Sequence, residues 1–196
     1  SKLKSPKSHA RFLVHGLLLL VFAATFATAQ VPTPKSVLGF QPTDDRTIAE
    51  TYVTGNAVKP VSLVYVHESE ASDAILHHCV KLDPGASLTL LENGPAAARF
   101  SKVLEVEVAD GAQFHHIRLQ GRDHERRAVT HVFARLGAKS ELRSFTLTAN
   151  GRLTRNEAVI RIAGDGAVAH IAGVALGDGT DGPFHHDDTV LFEHDA

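Results

Sequence analysis

The chain has 196 residues and a mass of 21.0 kDa, enough for one ordinary domain with a hydrophobic core. Hydrophobic residues make up 43% and charged residues 21%, which excludes a chain that is disordered throughout. The 20 Lys and Arg nearly balance the 22 Asp and Glu, so no excess positive charge favours nucleic acid as a partner. The single cysteine, Cys79, excludes an intrachain disulfide and cannot hold an iron–sulfur cluster alone.

The first segment has the composition of a secretory signal peptide. Basic residues between Lys2 and Arg11 precede an apolar run at 12–26, and the small residues Ala27, Thr28 and Ala29 follow it. We therefore expect residues 1–29 to form a signal-peptide-like helix that is cleaved after Ala29. An uncleaved anchor is the alternative, although the apolar run is short for a bilayer span.

Residues 30–58 are expected to be an extended linker or leader, because three prolines between positions 32 and 42 prevent a regular helix or a central strand. Residues 31–50 contain the stretches PKSVLGF and DDRTIA, and they resemble the mature N-terminus of secreted M14-type zinc carboxypeptidases. This match includes none of that family's catalytic groups. A bare HxxE zinc pattern runs from His67 to Glu70, but two residue types at this spacing arise easily in a chain with 13 histidines.

From residue 59 onward, short alternating apolar stretches are separated by glycine, which predicts β-strands. A Gly-Ala pair recurs at Gly85, Gly111, Gly137 and Gly166, with spacings of 26, 26 and 29 residues. Such a period indicates stacked strand–turn–strand units, in which glycine permits a sharp turn at positive φ. We therefore predict an all-β fold, a right-handed parallel β-helix over residues 59–196. An antiparallel β-sandwich is the structural alternative.

The same region resembles the core domain of the SufB/SufD family, the β-helical scaffold subunits of the Suf iron–sulfur cluster assembly machinery, and it is closer to SufD. The most specific part is Arg155-Asn156-Glu157, followed by an alternating strand and a Gly-Asp-Gly-Ala turn. The matching stretches are PVSLVYVH (60–67), LDPGASLTLLE (82–92), LRSFTL (142–147), GRLTRNEAVIRIAGDGA (151–167) and DDTVLFEHDA (187–196).

This resemblance implies a scaffold that has no catalytic residue, with no cofactor bound by the isolated chain and a transient iron–sulfur cluster shared with a partner. It also implies pairing with a SufB-like subunit through the edge of the β-helix, and we expect self-association through the final strand. A SufC-like ATPase would bind only through a helical C-terminal domain that this sequence does not include. The implied location is cytoplasmic, whereas the N-terminal segment indicates export or membrane insertion. The two parts therefore resemble a composite or truncated reading frame joined between residues 50 and 59.

Histidines are clustered beside Cys79, at 115–116 and at 185–186. Consecutive strand residues point to opposite faces, so each His-His pair offers only one ring to a given site, and most of these rings are expected to be ordinary strand residues. The candidates for a metal site are His185, Asp187 and His194, near a glycine-rich loop, although we expect the purified chain to carry no metal.

Two further groups of charged residues have structural interpretations. Arg155 and Glu157 have the same strand parity and are expected to form a ladder with neighbouring coils. The basic residues Arg122, Arg126 and Arg127 are interleaved with acidic ones and are interpreted as a solvated loop.

The sequence therefore predicts a scaffold protein and not an enzyme. It contains no nucleotide-binding loop and no nucleophile elbow of a serine hydrolase. The alternative is an exported zinc carboxypeptidase-like protein or a remnant of one. That alternative requires a complete site of two histidines and one glutamate, on an α/β fold with long helices.

Overall fold

In the computed structural model, the residues described are 9–14, 17–22, 48–53, 55–57, 59–67, 73–94, 99–121, 125–179 and 182–195. All regular structure in this part of the chain is β-strand, as predicted for the core. It contains no helix that is long and apolar enough to cross a membrane. The strands are β1 (His9–Val14), β2 (Leu17–Phe22), β3 (Ile48–Val53), β4 (Val61–His67), β5 (Asp73–Leu82), β6 (Ser87–Gly94), β7 (Arg99–Val108), β8 (Gln113–Gln120), β9 (Arg127–Leu136), β10 (Glu141–Ala149), β11 (Leu153–Ile162), β12 (Val168–Leu176) and β13 (His186–His194).

From β3 onward, consecutive strands alternate between two sheets, and each strand pairs in parallel with the strand one coil away. One sheet has the order β1-β2-β4-β6-β8-β10-β12, and the other has the order β13-β11-β9-β7-β5-β3. This arrangement is a parallel β-solenoid, so the sandwich alternative is wrong. Stacking the coils lets each unit bury an apolar face that it could not cover alone.

Three of the four predicted turn glycines adopt the left-handed conformation that favours glycine. The φ angles are 70° at Gly85, 68° at Gly111 and 69° at Gly166. Ala86 and Ala112, which follow the first two, are fully buried. The small residue at these corners therefore stacks where space is limited, as the recurring Gly-Ala pair predicted.

The third corner differs from the prediction, because Lys139 and not Gly137 has the positive φ, at 54°. The strand register stacks Leu82, Val108, Leu136 and Ile162, the last residues of β5, β7, β9 and β11. The spacings between these stacked strand ends are 26, 28 and 26 residues. Gly137 is required for another reason: a Cβ there would lie 2.9 Å from the backbone nitrogen of Asp110.

In the part of residues 1–29 that the structure describes, the chain forms β-strands and not the expected helix, whereas the signal-peptide interpretation itself stays a prediction. There β1 and β2 form an antiparallel hairpin, and β2 pairs with β4. β2, with the apolar sequence LLLLVF, lies between β1 and β4 and satisfies its backbone groups by pairing on both sides. An apolar composition alone does not distinguish such a strand from a helix. The predicted cleavage point and the three prolines of the leader lie outside the described residues. The end of the leader contributes β3, which pairs in parallel with β5.

Alternate strand residues face the interior, as the period of two requires. In β5 and β7 every second residue is buried, and the core contains Leu76, Leu82, Leu104, Val106 and Phe114. Several inward positions are nevertheless polar or charged, and these positions form the candidate site.

Candidate functional site

The middle of the solenoid contains a buried carboxylate with three partners. Glu92 Oε1 accepts a hydrogen bond from the Tyr65 hydroxyl at 3.0 Å and another from Lys102 Nζ. His116 Nε2 lies 2.9 Å from Glu92 Oε2, and His78 Nε2 lies 3.3 Å from the Tyr65 hydroxyl. All five residues are buried, and together they are called the Glu92 cluster here. Each lies on an inward strand row, and these rows are otherwise apolar in β5, β6 and β7, whereas the row of His116 in β8 continues with Arg118 and Gln120.

The charges in this cluster depend on one another. Burial opposes ionisation of Glu92, but Lys102 and His116 outweigh that effect and hold the pKa of its carboxyl well below the usual range. Burial lowers the pKa of Lys102 to about 8, although Glu92 acts in the opposite direction. Burial also lowers the pKa of His78 to about 4. The cluster therefore combines an ionised carboxylate with neutral imidazole and with a lysine that loses its proton more easily than usual.

A second buried group, called the Asn156 cluster, continues toward the last coil. Asn156 Oδ1 accepts hydrogen bonds from Arg118 NH2 at 2.9 Å and from Thr130 Oγ1 at 2.8 Å. Asn156 Nδ2 donates to Gln120 Oε1 at 3.2 Å and to Asp188 Oδ1 at 2.6 Å. A cavity of about 280 Å³ lies beside these side chains and is lined in part by Arg118, Asn156 and Asp188. Polar groups thus extend along the interior from Tyr65 in β4 to Asp188 in β13.

The buried histidine predicts a loss of stability in acid. The pKa of His78 falls from 6.5 in the unfolded chain to about 4 in the fold, so the unfolded state binds more protons between these values. We expect protonation of His78 to remove about 3 kcal/mol from the free energy of unfolding as the pH falls from 6.5 to 4. The buffer contains a chelator, so that metal ions do not contribute to the measured stability. Urea unfolding followed by circular dichroism measures this slope.

A His78→Leu variant should show a shallower dependence of stability on pH, because it lacks the imidazole that takes up the proton. Tyr65 keeps its hydrogen bond to Glu92 in this variant. Ile160→Val is the matched control: it trims a fully buried apolar side chain and should lower stability equally at every pH, by about 1 kcal/mol. A slope that is identical in wild type and His78→Leu would contradict the prediction.

The Arg155-Asn156-Glu157 motif is divided between the two faces of β11. Asn156 points inward, whereas Arg155 Nε donates to Glu157 Oε1 at 2.6 Å on the outer face. Arg155 Nε also lies 3.6 Å from Asp187 Oδ2 in the next coil, and Glu157 Oε2 lies 2.9 Å from His131 Nδ1 in the previous coil. The expected ladder between coils is therefore present.

The structure does not bring the three candidate metal ligands together. His185 precedes β13, Asp187 is the second residue of that strand and His194 is its last. A strand rises about 3.3 Å per residue, so Asp187 and His194 lie roughly 23 Å apart. Asp187 is close to Arg155 instead.

Another cluster, which the sequence analysis noted beside Cys79 but did not choose as a site and did not connect with Glu105, lies on the outer face of the sheet that contains β13, near the opposite end of that sheet. His77 Nε2 is 2.5 Å from Glu105 Oε1 and 3.6 Å from Cys79 Sγ. Two hydrogen bonds raise the pKa of His77 to about 9, and the one to Cys79 has a larger effect than the one to Glu105. Cys79 and Glu105 are register partners in β5 and β7, so the 26-residue period was the signal that pairs them. His78 points to the opposite face, which confirms that a His-His pair does not share one site.

The expectation of a solvated basic loop is wrong for Arg126, which is fully buried. Its guanidinium donates to the carbonyl oxygen of Gly121, to that of Asn150 at 2.9 Å and to Thr154 Oγ1 at 3.2 Å. The two carbonyl acceptors lie at the corners between β8 and β9 and between β10 and β11, where the chain leaves the sheets, and Thr154 is the second residue of β11. Arg127 is exposed as expected, and Arg122 lies outside the described residues.

The carboxypeptidase alternative gains no support from the described residues. They form a parallel solenoid without helices, whereas that alternative requires an α/β fold. Within the HxxE pattern, His67 ends β4, and Glu68 to Glu70 lie outside the described residues.

Comparison with known proteins gives the family. The protein-family model described as "SUF system FeS cluster assembly, SufBD core domain" matches residues 65–196, about two thirds of the chain. Neither the search of curated proteins nor the search of solved structures found a match. The matched region covers the solenoid from the end of β4 to β13, including both buried polar clusters. The chain therefore belongs to the SufBD core domain family of SUF-system iron–sulfur cluster assembly.

Proposed function

We propose that this chain is a SufD-like scaffold subunit, which acts by pairing with a SufB-like partner through the last coil of the solenoid. Membership of the family supports a role in iron–sulfur cluster assembly within a complex of Suf subunits. The nascent cluster is the cargo of that complex, and no residue of this chain is assigned to it. A SufC-like ATPase would bind through a helical domain outside this sequence. Its need for ATP favours a cytoplasmic site of action.

One observation carries the pairing proposal: side chains of the last coil that belong to the inward rows are exposed. Phe192 is 50% exposed, although its register partner in the preceding coil, Ile160, is fully buried. Val190 on the same row is 43% exposed, and Leu191 on the outer row is 52% exposed. Adjacent exposed apolar side chains on a terminal strand favour coverage by another chain.

The strands themselves offer a second means of association. Among the described strands, β12 and β13 are the terminal members of their sheets at this end of the solenoid, so each pairs on one side only. Backbone N–H and C=O groups along such an edge are able to extend a sheet into a partner. A SufB-like subunit with an equivalent coil would satisfy these groups and cover Phe192 at the same time.

Substitution of this surface should weaken pairing strongly. We expect the full chain to form a mixed dimer with a SufB-like subunit in native mass spectrometry, and Phe192→Asp to weaken it by about 100-fold, since burying an unpaired charge in an interface is costly. Ile75→Asp is the matched control, because Ile75 is a 58% exposed apolar residue on β5, at the other end of the solenoid.

The outcomes separate the possibilities. Loss of the mixed dimer in Phe192→Asp but not in Ile75→Asp supports the proposal, provided that circular dichroism shows both variants folded. Equal binding by both variants contradicts it. A homodimer that excludes the SufB-like subunit would show that the surface serves self-association instead.

A further inference from the structure

Three different donor atoms converge on the outer face of the sheet that contains β5 and β7. The imidazole of His77, the thiol of Cys79 and the carboxylate of Glu105 place one donor atom each within 4.8 Å of one another. Cys79 is 1% exposed and Glu105 is fully buried, although both belong to outward-facing rows. A nitrogen, a sulfur and an oxygen donor at one position form a typical ligand set for a borderline-soft divalent metal.

The separation between the sulfur and nitrogen donors is close to that of a tetrahedral site, and the separation between the nitrogen and oxygen donors is shorter. Zinc–sulfur and zinc–nitrogen bonds of about 2.3 Å and 2.0 Å place the two ligand atoms about 3.5 Å apart at a tetrahedral angle. The observed separation between Cys79 Sγ and His77 Nε2 is 3.6 Å. The His77 Nε2–Glu105 Oε1 separation of 2.5 Å is that of a hydrogen bond, and opening it by less than about 1 Å would admit a metal ion.

The neighbouring coils show that this combination of donors is specific to one place. The row that contains Cys79 and Glu105 continues with Phe133 and Val159, which offer no donor atom. Further along the same face, His131 pairs with Glu157, but no cysteine lies in that part of the sheet. A histidine–glutamate pair is thus a recurrent ladder element of the fold, whereas the added thiol is not.

We propose that His77, Cys79 and Glu105 bind one divalent metal ion of the class that includes Zn²⁺ and Fe²⁺, with the fourth position open to water or to another ligand. This proposal departs from the sequence-based expectation that the chain binds no metal. It does not depend on the pairing proposed above, because the cluster lies at the other end of the solenoid from Phe192.

Cobalt(II) is the probe, since it replaces Zn²⁺ in such sites and reports on its ligands. Titration of the full reduced chain with Co²⁺ alone, under a non-thiol reductant, should produce a sulfur-to-cobalt charge-transfer band and the visible bands of tetrahedral Co²⁺, saturating at one equivalent. Zn²⁺ should remove these bands by displacement. Absence of the charge-transfer band in the wild-type protein would overturn the proposal without any variant.

Two variants and a matched control assign the ligands. Cys79→Ser should abolish the charge-transfer band, and Glu105→Gln should weaken Co²⁺ binding more than tenfold, because even the residues behind metal ligands are worth about 10- to 100-fold in affinity. His131→Ala removes the comparable histidine–glutamate pair and should leave the spectrum unchanged. Unchanged Co²⁺ affinity in both Cys79→Ser and Glu105→Gln, or loss of the charge-transfer band in His131→Ala, would show that the metal binds elsewhere.

Discussion

Replacing Glu92 with leucine is expected to lower the free energy of unfolding by about 3–5 kcal/mol, the usual cost of removing one partner from a buried ion pair. The variant leaves Lys102 buried without its carboxylate, and it removes the acceptor of the Tyr65 hydroxyl and of His116. Because burial already lowers the pKa of Lys102 to about 8, part of this cost should appear as deprotonation of that lysine. Urea unfolding followed by circular dichroism at neutral pH measures the change.

The double variant Glu92→Leu/Lys102→Met separates charge from packing. It replaces both members of the pair with apolar side chains, so it should recover much of the stability that the single variant loses. Glu107→Gln is the surface control, because the ion pair between Glu107 and Lys81 at 2.9 Å is partly exposed and should be worth less than about 1 kcal/mol. If Glu92→Leu costs no more than Glu107→Gln, the Glu92 cluster does not stabilise the fold in this way.

Substitution of Arg126 by methionine is the second change with a large expected effect, a loss of about 3 kcal/mol or more. Methionine keeps much of the volume but removes the hydrogen bonds that the guanidinium donates to the carbonyl oxygens of Gly121 and Asn150 and to Thr154 Oγ1, and a hydrogen bond to a charged group is worth about 1.5–3 kcal/mol. Arg126→Lys should recover only part of the loss, because one ammonium group lacks the planar, forked geometry of the guanidinium. Urea unfolding gives the stability of each variant.

The neighbouring residue supplies the control for this prediction. Arg127 is exposed at the start of β9, so Arg127→Met should change stability by less than about 0.5 kcal/mol. Hydrogen exchange should show the loss of protection in Arg126→Met concentrated at the corners that precede β9 and β11. A uniform loss throughout the solenoid would indicate a global effect and not the corner contact described.

The fold could be predicted from the sequence because the repeated corners are local. A glycine at positive φ followed by a small buried residue needs only its own coil and the next one, as Gly85-Ala86 and Gly111-Ala112 show. The third corner was misassigned because Gly137-Ala138 repeats the letters but not the register. Ser140, and not Ala138, occupies the buried position there. Counting between identical dipeptides does not reveal such a shift, whereas the strand pairing does.

The candidate site was less predictable, since it depends on which face each residue occupies and on contacts between the sheets. Glu92 follows Leu88 and Leu90 on one inward row, so its strand parity was a usable signal. Its contact with Lys102 crosses from one sheet to the other, and no spacing in the sequence gives that contact. Cys79 and Glu105 differ by one coil of 26 residues, and the period would have paired them. Arg126 was interpreted as part of a solvated loop because the surrounding residues are polar. In the structure it is buried and donates to carbonyl oxygens at two corners.

The pairing of each strand with only the strands one coil away has a consequence for how the molecule opens. Removing β13 deprives β11 of one neighbour but leaves the ladder between β5 and β7 intact. Opening should therefore begin as fraying at an end of the stack and proceed coil by coil, as in a one-dimensional chain of nearest-neighbour couplings. A subunit that binds the last coil would then suppress fraying most strongly beside the interface, and the protection it confers would fade with each coil toward β5.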